Sequence, residues 1–172
     1  MKTFDVEQFN KNKINNRYTY ISKDSTKVEQ STWQFGYEET ITKQNDFFQV
    51  YNKYFKDGTL KVTGKFFPDD FLKGVWKEYD EQGNLVKETD YDAPYKFTWE
   101  DVLELIKKRK LDMTGNNFEV GRNIVDKRPV WSIIFNIKNS DKLGVIGIYG
   151  DTGEIFQESE MDAPADGDYD DK

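Results

Sequence analysis

The chain of 172 residues contains no cysteine and no histidine. Without cysteine there is no disulfide framework and no thiolate metal site. Without histidine the usual general base, proton shuttle and commonest metal ligand are missing, and a Ser-His or Cys-His nucleophile is excluded within the chain. Proline is scarce, at 4 residues. No apolar stretch approaches the ~20 residues of a membrane-spanning helix. The first twenty residues, MKTFDVEQFNKNKINNRYTY, hold no apolar run of the ~7–15 residues a secretory signal needs. The expectation is a cytoplasmic protein; an exported chain freed of its signal would read the same.

The balance of what remains is unusual. Charged residues reach 33% and the apolar set only 36%, yet aromatics make up 16%, with 13 Phe, 10 Tyr and 4 Trp. Disordered chains are poor in aromatics, so this composition points to a folded protein with an aromatic core and a charged surface. The formal net charge is −7. An acidic chain repels phosphate backbones, which argues against nucleic acid as a partner and favours a basic protein.

Two stretches say nearly the same thing. YFKDGTLKVTGKFF, residues 54–67, overlies EYDEQGNLVKETDY, residues 78–91, so that Tyr54 meets Tyr79, Gly58 meets Gly83, Leu60 meets Leu85 and Phe66 meets Tyr91. Asp57-Gly58 and Gln82-Gly83 each stand between alternating segments, a hairpin signal, because glycine accepts positive φ without steric cost. Tyr51, Lys53 and Phe55 share one strand face, and Asn52 and Tyr54 the other. Two strands alone are marginal in water, and repetition answers that by letting each hairpin stack its aromatic face on the next. Trp33, Phe35, Tyr37 and Ile41 fall at even spacing within Val28–Ile41, which reads as a strand and an earlier, degenerate copy. Tyr18–Ile21 reads as a further strand, and the remainder of residues 1–30 as polar chain.

Ala93-Pro94 closes the repeats. Beyond it, residues 98–110 read as a helix: Thr98 as N-cap, Asp101 where a capping box wants an acid, and Trp99, Val102, Leu103 and Ile106 on one face. Lys107 to Lys110 suit the negative end of the helix dipole better than a nucleic-acid site. Residues 116–128 read as a loop or edge strand. Val130–Ile137, Leu143–Tyr149 and Glu154–Gln157 read as strands, and Asp151-Thr152-Gly153 as a turn. The fold class expected is α+β, mainly antiparallel β: repeated hairpins in an extended sheet over 1–93, a helix with a further antiparallel sheet over 94–161, and a disordered acidic tail over 162–172.

Paired acids are the candidates for chemistry: Asp69-Asp70, Asp80-Glu81, Asp90 with Asp92, and Asp166 to Asp171. None follows an EF-hand loop, and no phosphate-binding glycine motif is present, so neither metal nor cofactor is expected. Nothing specifies a catalytic carboxylate pair, and the reading is of a protein that is not an enzyme. Asp69, Asp70, Asp80, Glu81, Asp90 and Asp92 are instead candidate contacts for a basic protein partner. Trp33, Tyr51, Trp76 and Trp131 are candidate platform residues, though aromatics at alternating strand positions are more often core.

The run Gly74, Trp76, Tyr79, Asp80, Gly83, Leu85, Glu88 and Tyr91, with Tyr54, Asp57, Gly58, Leu60 and Gly64 before it, resembles the MORN-like repeats of the bacterial "antitoxin component" family over residues 49–91. The helix, Trp131–Phe135 and the turn Thr152-Gly153-Glu154 are similar to PepSY-like domains over residues 98–157. The first resemblance implies an immunity protein that neutralises a toxin, basic and nuclease-like, by stoichiometric binding and occlusion. The alternative is a non-catalytic envelope-associated module binding cations or a surface polymer.

Overall fold

The computed structural model describes residues 2–68 and 70–164. The chain divides into two compact units, Met1–Ala93 and Pro94–Lys172. It is mainly antiparallel β: a seven-stranded sheet, a helix, then a four-stranded sheet.

In the first unit a short helix α1 (Val6–Asn12) precedes strands β1 (Arg17–Ile21), β2 (Lys27–Trp33), β3 (Gly36–Thr42), β4 (Gln49–Phe55), β5 (Leu60–Phe66), β6 (Leu72–Tyr79) and β7 (Leu85–Asp90). They hydrogen-bond in chain order, every neighbour antiparallel. The sequence repeat is a repeat of geometry. In the β4–β5 link the Phe55 N–H donates to Thr59 O at 2.9 Å and the Gly58 N–H to Phe55 O at 3.0 Å. Twenty-five residues on, Asp80 N–H donates to Asn84 O at 3.0 Å and Gly83 N–H to Asp80 O at 3.0 Å. Gly58 and Gly83 both sit at positive φ, 87° and 82°, the left-handed step that a residue with a Cβ resists. A β-bulge follows in each copy, at Lys53/Tyr54 and at Glu78/Tyr79. The hairpins join side by side through β5 and β6 into one sheet, rather than stacking face on face. Backbone hydrogen bonds between neighbours leave no unpaired edge inside the array, which face stacking would not achieve.

Two sequence expectations change here. Val28–Ile41 is not one strand but the hairpin β2–β3, with Gln34 and Phe35 as its link. Strand register then places Trp33 and Tyr37 on opposite faces, because residues paired across an antiparallel ladder share a face and Trp33 pairs with Gly36, Thr32 with Tyr37. Residues 6–12, read as polar chain, form α1, capped by the Asp5 carboxylate, which accepts from Gln8 N–H at 2.8 Å. The N-terminal segment seals one face of the sheet. Phe4 and Phe9 pack with Tyr54 and Leu60 as a buried cluster, with Val6, Tyr37 and Tyr79 against it. Phe4 stacks on Tyr37 at 4.5 Å between centroids, and its N–H donates to Gly58 O at 2.9 Å.

The second unit holds α2 (Trp99–Arg109) and strands β8 (Glu119–Val125), β9 (Arg128–Asn136), β10 (Lys142–Tyr149) and β11 (Ile155–Asp162), in sheet order β11-β10-β9-β8. Thr98 and Asp101 form the capping box, and Lys110 closes the helix in the left-handed region. Trp99, Val102 and Ile106 are buried, as are Val120, Trp131, Ile133, Ile146 and Ile148 on the strands. Trp131 Nε1 donates to Phe97 O at 2.9 Å, tying the core to the segment before α2. Arg109 lies bidentate on Glu158 and Arg128 on Asp151. The last strand reaches Asp162, five residues beyond the span its alternation suggests; residues 165–172, with Asp166 to Asp171, lie outside the described residues.

Candidate interaction surface

The candidate acids do not form one surface. Strand direction puts the β2–β3, β4–β5 and β6–β7 links at one end of the first sheet, and the β5–β6 link and the end of β7 at the other. Asp80 and Glu81 belong to the first end, Asp70, Asp90 and Asp92 to the second. Along the eight residues of β6, at about 3.3 Å per residue, the two groups stand a strand's length apart. Asp69 lies outside the described residues. Most of these acids also have local work. Asp80 accepts from Asn84 N–H at 2.8 Å and Nδ2 at 3.0 Å, and those bonds hold its carboxyl below the usual range. Asp90 accepts from Asp92 N–H at 2.9 Å. Asp92 faces Lys73 Nζ at 2.7 Å. Glu81 alone of the five is exposed with no hydrogen bond or ion pair among the described residues.

One carboxylate that sequence reading passed over is buried. Glu39, 7% exposed, receives Lys2 Nζ at 2.6 Å, Gln30 Nε2 at 2.9 Å, Tyr54 OH at 3.1 Å and Asn52 Nδ2 at 3.2 Å. Burial pushes its pKa up, but Lys2 and Gln30 outweigh that and the net displacement is downward. Four donors saturate it, so it serves as an anchor for the N-terminal segment rather than a proton carrier. Its even spacing with Tyr37 and Ile41 was the available signal: an acid on the apolar face of a strand.

Among the described residues no helix of the first unit lies over the opposite face of its sheet. Register places Ser31 and Trp33, Glu38, then Tyr51, Lys53 and Phe55, then Gly64 and Trp76 on that side. Trp33, Tyr51 and Trp76 are therefore half-buried members of an open face, not core; of the four candidate platform aromatics only Trp131 is core. Their rings are held. Tyr51 OH donates to Glu38 at 2.8 Å, and burial together with that carboxylate pushes its pKa up. Trp76 Nε1 donates to Lys65 O at 2.8 Å, and its ring lies across Gly64, where a Cβ would stand 2.2 Å from indole carbons. Trp33 Nε1 donates to Tyr37 O at 3.1 Å and Tyr54 O at 3.4 Å. Lys53 and Lys61 stand over the Trp33 ring at 4.8 and 4.9 Å from its centroid.

Among the described residues no group of three acids is placed to hold a metal ion, and no helix is long and apolar enough to cross a membrane. Comparison with known proteins finds no matching family, no matching curated protein and no matching solved structure.

Proposed function

We propose that the chain is an immunity protein: a binding module that neutralises a bacterial toxin by covering it stoichiometrically, without chemistry of its own. The observation that carries the binding role is the contrast between the two faces of the first sheet. One is sealed by Phe4, Phe9 and the Lys2–Glu39 contact. The other is left open, with Trp33, Tyr51 and Trp76 fixed by hydrogen bonds. Large aromatics held in place before binding lose little entropy on contact, and that is how interface anchors work. The toxin as target, and the cytoplasm as the place of action, rest on the resemblance of residues 49–91 to antitoxin repeats. With Asp80 and Glu81 separated from Asp70, Asp90 and Asp92, the negative charge acts as a diffuse field that speeds association with a basic toxin rather than as one docking patch.

The test has two stages. The tagged chain is used to capture partners from its native host, with low-salt and then high-salt washes. A captured protein is then expressed alone in a heterologous host and again with this chain. Growth arrest that equimolar co-expression lifts supports the proposal. A partner harmless by itself, or capture of polysaccharide only, overturns it and turns attention to the envelope-module alternative.

A further inference from the structure

We infer that the partner docks at the turn end of the open face, and that the segment received there is a protein segment carrying a large apolar side chain beside a carboxylate. This rests on the reading that the chain binds a protein partner. A cleft of about 630 Å³ lies at that end, lined by Phe35, Phe55, Lys56, Asp57, Lys61 and Glu81. Phe35 occupies a hairpin link, where small polar residues are the rule, and is 54% exposed. It stands edge-on to Trp33 at 5.3 Å between centroids. With Phe55 it makes an apolar floor that is already built and only partly shielded from water.

The charge around that floor decides what meets it. Lys53 and Lys61 lie over Trp33, and Lys61 also over Phe55 at 5.3 Å. Lys56 stands on the rim. Among the described residues none of these three lysines has a carboxylate partner. The neighbouring strands differ: Lys73 pairs with Asp92, Lys77 with Glu88 and Lys87 with Glu78. The cleft's two acids are Asp57, which accepts from Thr59 N–H at 2.8 Å within its turn, and Glu81. Lys53, Lys56 and Lys61 against Asp57 and Glu81 leave one net positive charge around the cleft, in a chain of net charge −7. That charge complements one carboxylate on the incoming segment. A long polyanion such as a nucleic-acid strand meets the repulsion of the whole acidic surface, so a single carboxylate on a protein segment is the better complement.

The test titrates the captured partner against the full chain and against Phe35→Ser, Lys53→Glu and Lys61→Glu, each on an exposed or half-exposed position. Lys43→Glu, in the β3–β4 link at the opposite end of the sheet, makes the same charge change elsewhere. Losses of about tenfold or more for the three cleft variants, with Lys43→Glu binding as wild type, support the inference. Equal losses for Lys43→Glu, or none for the cleft variants, overturn it. A second titration uses a fluorescent single-stranded oligonucleotide: tight binding that Lys53→Glu and Lys61→Glu abolish would reassign the patch to a polyanion and overturn the protein-segment assignment. If Phe35→Ser fails to fold, the lysine variants decide. A partner that binds through the cleft but is not toxic defeats the immunity reading alone; a toxin whose binding ignores the cleft defeats this inference alone.

Discussion

Gly64 is the sharpest point at which the fold can be tested. It stands in the middle of β5 on the open face, and the Trp76 indole from β6 lies across it. A Cβ built there would meet Trp76 Cδ2 and Cε2 at 2.2 Å, whereas ordinary contact begins at 3.4 Å. Gly64→Ala therefore forces the indole outward. That strains or breaks the Trp76 Nε1 bond to Lys65 O, 2.8 Å long, and disturbs the stacking of Trp76 on Tyr51. Overpacking of this kind costs about 1–3 kcal/mol, and a lost hydrogen bond about 0.5–1.5 kcal/mol. Against these stands a gain of about 0.5–1 kcal/mol from replacing glycine within a strand. The expected net is a destabilisation of about 1–3 kcal/mol. In a Trp76→Leu background the obstacle is gone, and Gly64→Ala should become neutral or stabilising by up to about 1 kcal/mol, a change of sign that a double-mutant cycle reads directly. Because the chain has two compact units, a single melting curve mixes them. Hydrogen exchange of β5 and β6 amides reports the first unit alone. Equal cost of Gly64→Ala in both backgrounds, or no cost in the first, would refute the reasoning. Gly74→Ala is the control: it has positive φ and open space around its Cβ, so its cost of about 1–2 kcal/mol comes from the backbone and should survive Trp76→Leu.

Three further outcomes follow from particular residues. Glu39→Gln should cost about 2 kcal/mol at pH 7, since it replaces a buried, charge-assisted acceptor. Glu39 has its pKa lowered on folding, so its contribution is present above its unfolded value and lost as pH falls through the folded one. The gap between wild type and variant should thus begin to narrow as pH falls below about 4, and a gap that is flat from pH 7 to 3 would count against the anchor role. Leu60→Ala should cost about 2–5 kcal/mol, because Leu60 is 5% exposed under Phe4, whereas Leu85→Ala at the equivalent site, 49% exposed, should stay within about 0.5–1 kcal/mol; denaturant titration of the pair checks it. Thr98→Ala removes the N-cap of α2 and should lower second-unit stability by about 1 kcal/mol, with the loss seen in α2 amide exchange and absent from β5 and β6.

The repeats, α2 and the β9 and β10 strands were legible because each carried its own local signal: glycine at a turn, a capping box, a continuous apolar run. The hairpins at Gly58 and Gly83 are fixed by a conformational need few residues meet, and the sequence states it openly. α1 was not legible, since seven residues with one fully buried side chain, Phe9, give no periodicity to detect. The β2–β3 link hid for a different reason. Gln34-Phe35 lacks the residues that mark a two-residue turn, and Trp33, Phe35 and Tyr37 preserve even spacing across it while the chain reverses. Charge alone marks the candidate contacts in the sequence, and charge carries no information about which end of a sheet a turn occupies; only strand direction separates Asp80 and Glu81 from Asp70, Asp90 and Asp92. Glu39 and the Trp33 patch depend on cross-strand register between segments far apart in sequence, and that is the information a single chain states least clearly.

A repeat that extends a sheet must also stop, and β7 indicates how. Its neighbour on one side is β6, and the sheet ends with it. Tyr79 and Leu85 restate Tyr54 and Leu60, yet among the described residues no further strand joins this sheet, and Leu85 and Val86 remain 49% and 66% exposed. A terminal strand with that much apolar surface is a template for another copy. Antiparallel pairing of two β7 strands about a two-fold axis normal to the sheet brings same-face residues together, so the central registers set Lys87 against Lys87 or Glu88 against Glu88. Like charges directly opposite are destabilising. Each is moreover held within its own sheet, Lys87 by Glu78 at 3.3 Å and Glu88 by Lys77 at 3.0 Å. The same two positions thus close the ladder of ion pairs inside the molecule and oppose its continuation into a second one. Removing that opposition while keeping the turn should expose the hazard: Lys87→Thr with Glu88→Val is expected to give concentration-dependent dimers or larger species by analytical ultracentrifugation, and a variant that stays monomeric would show that the end of β7 is protected by something other than its charges.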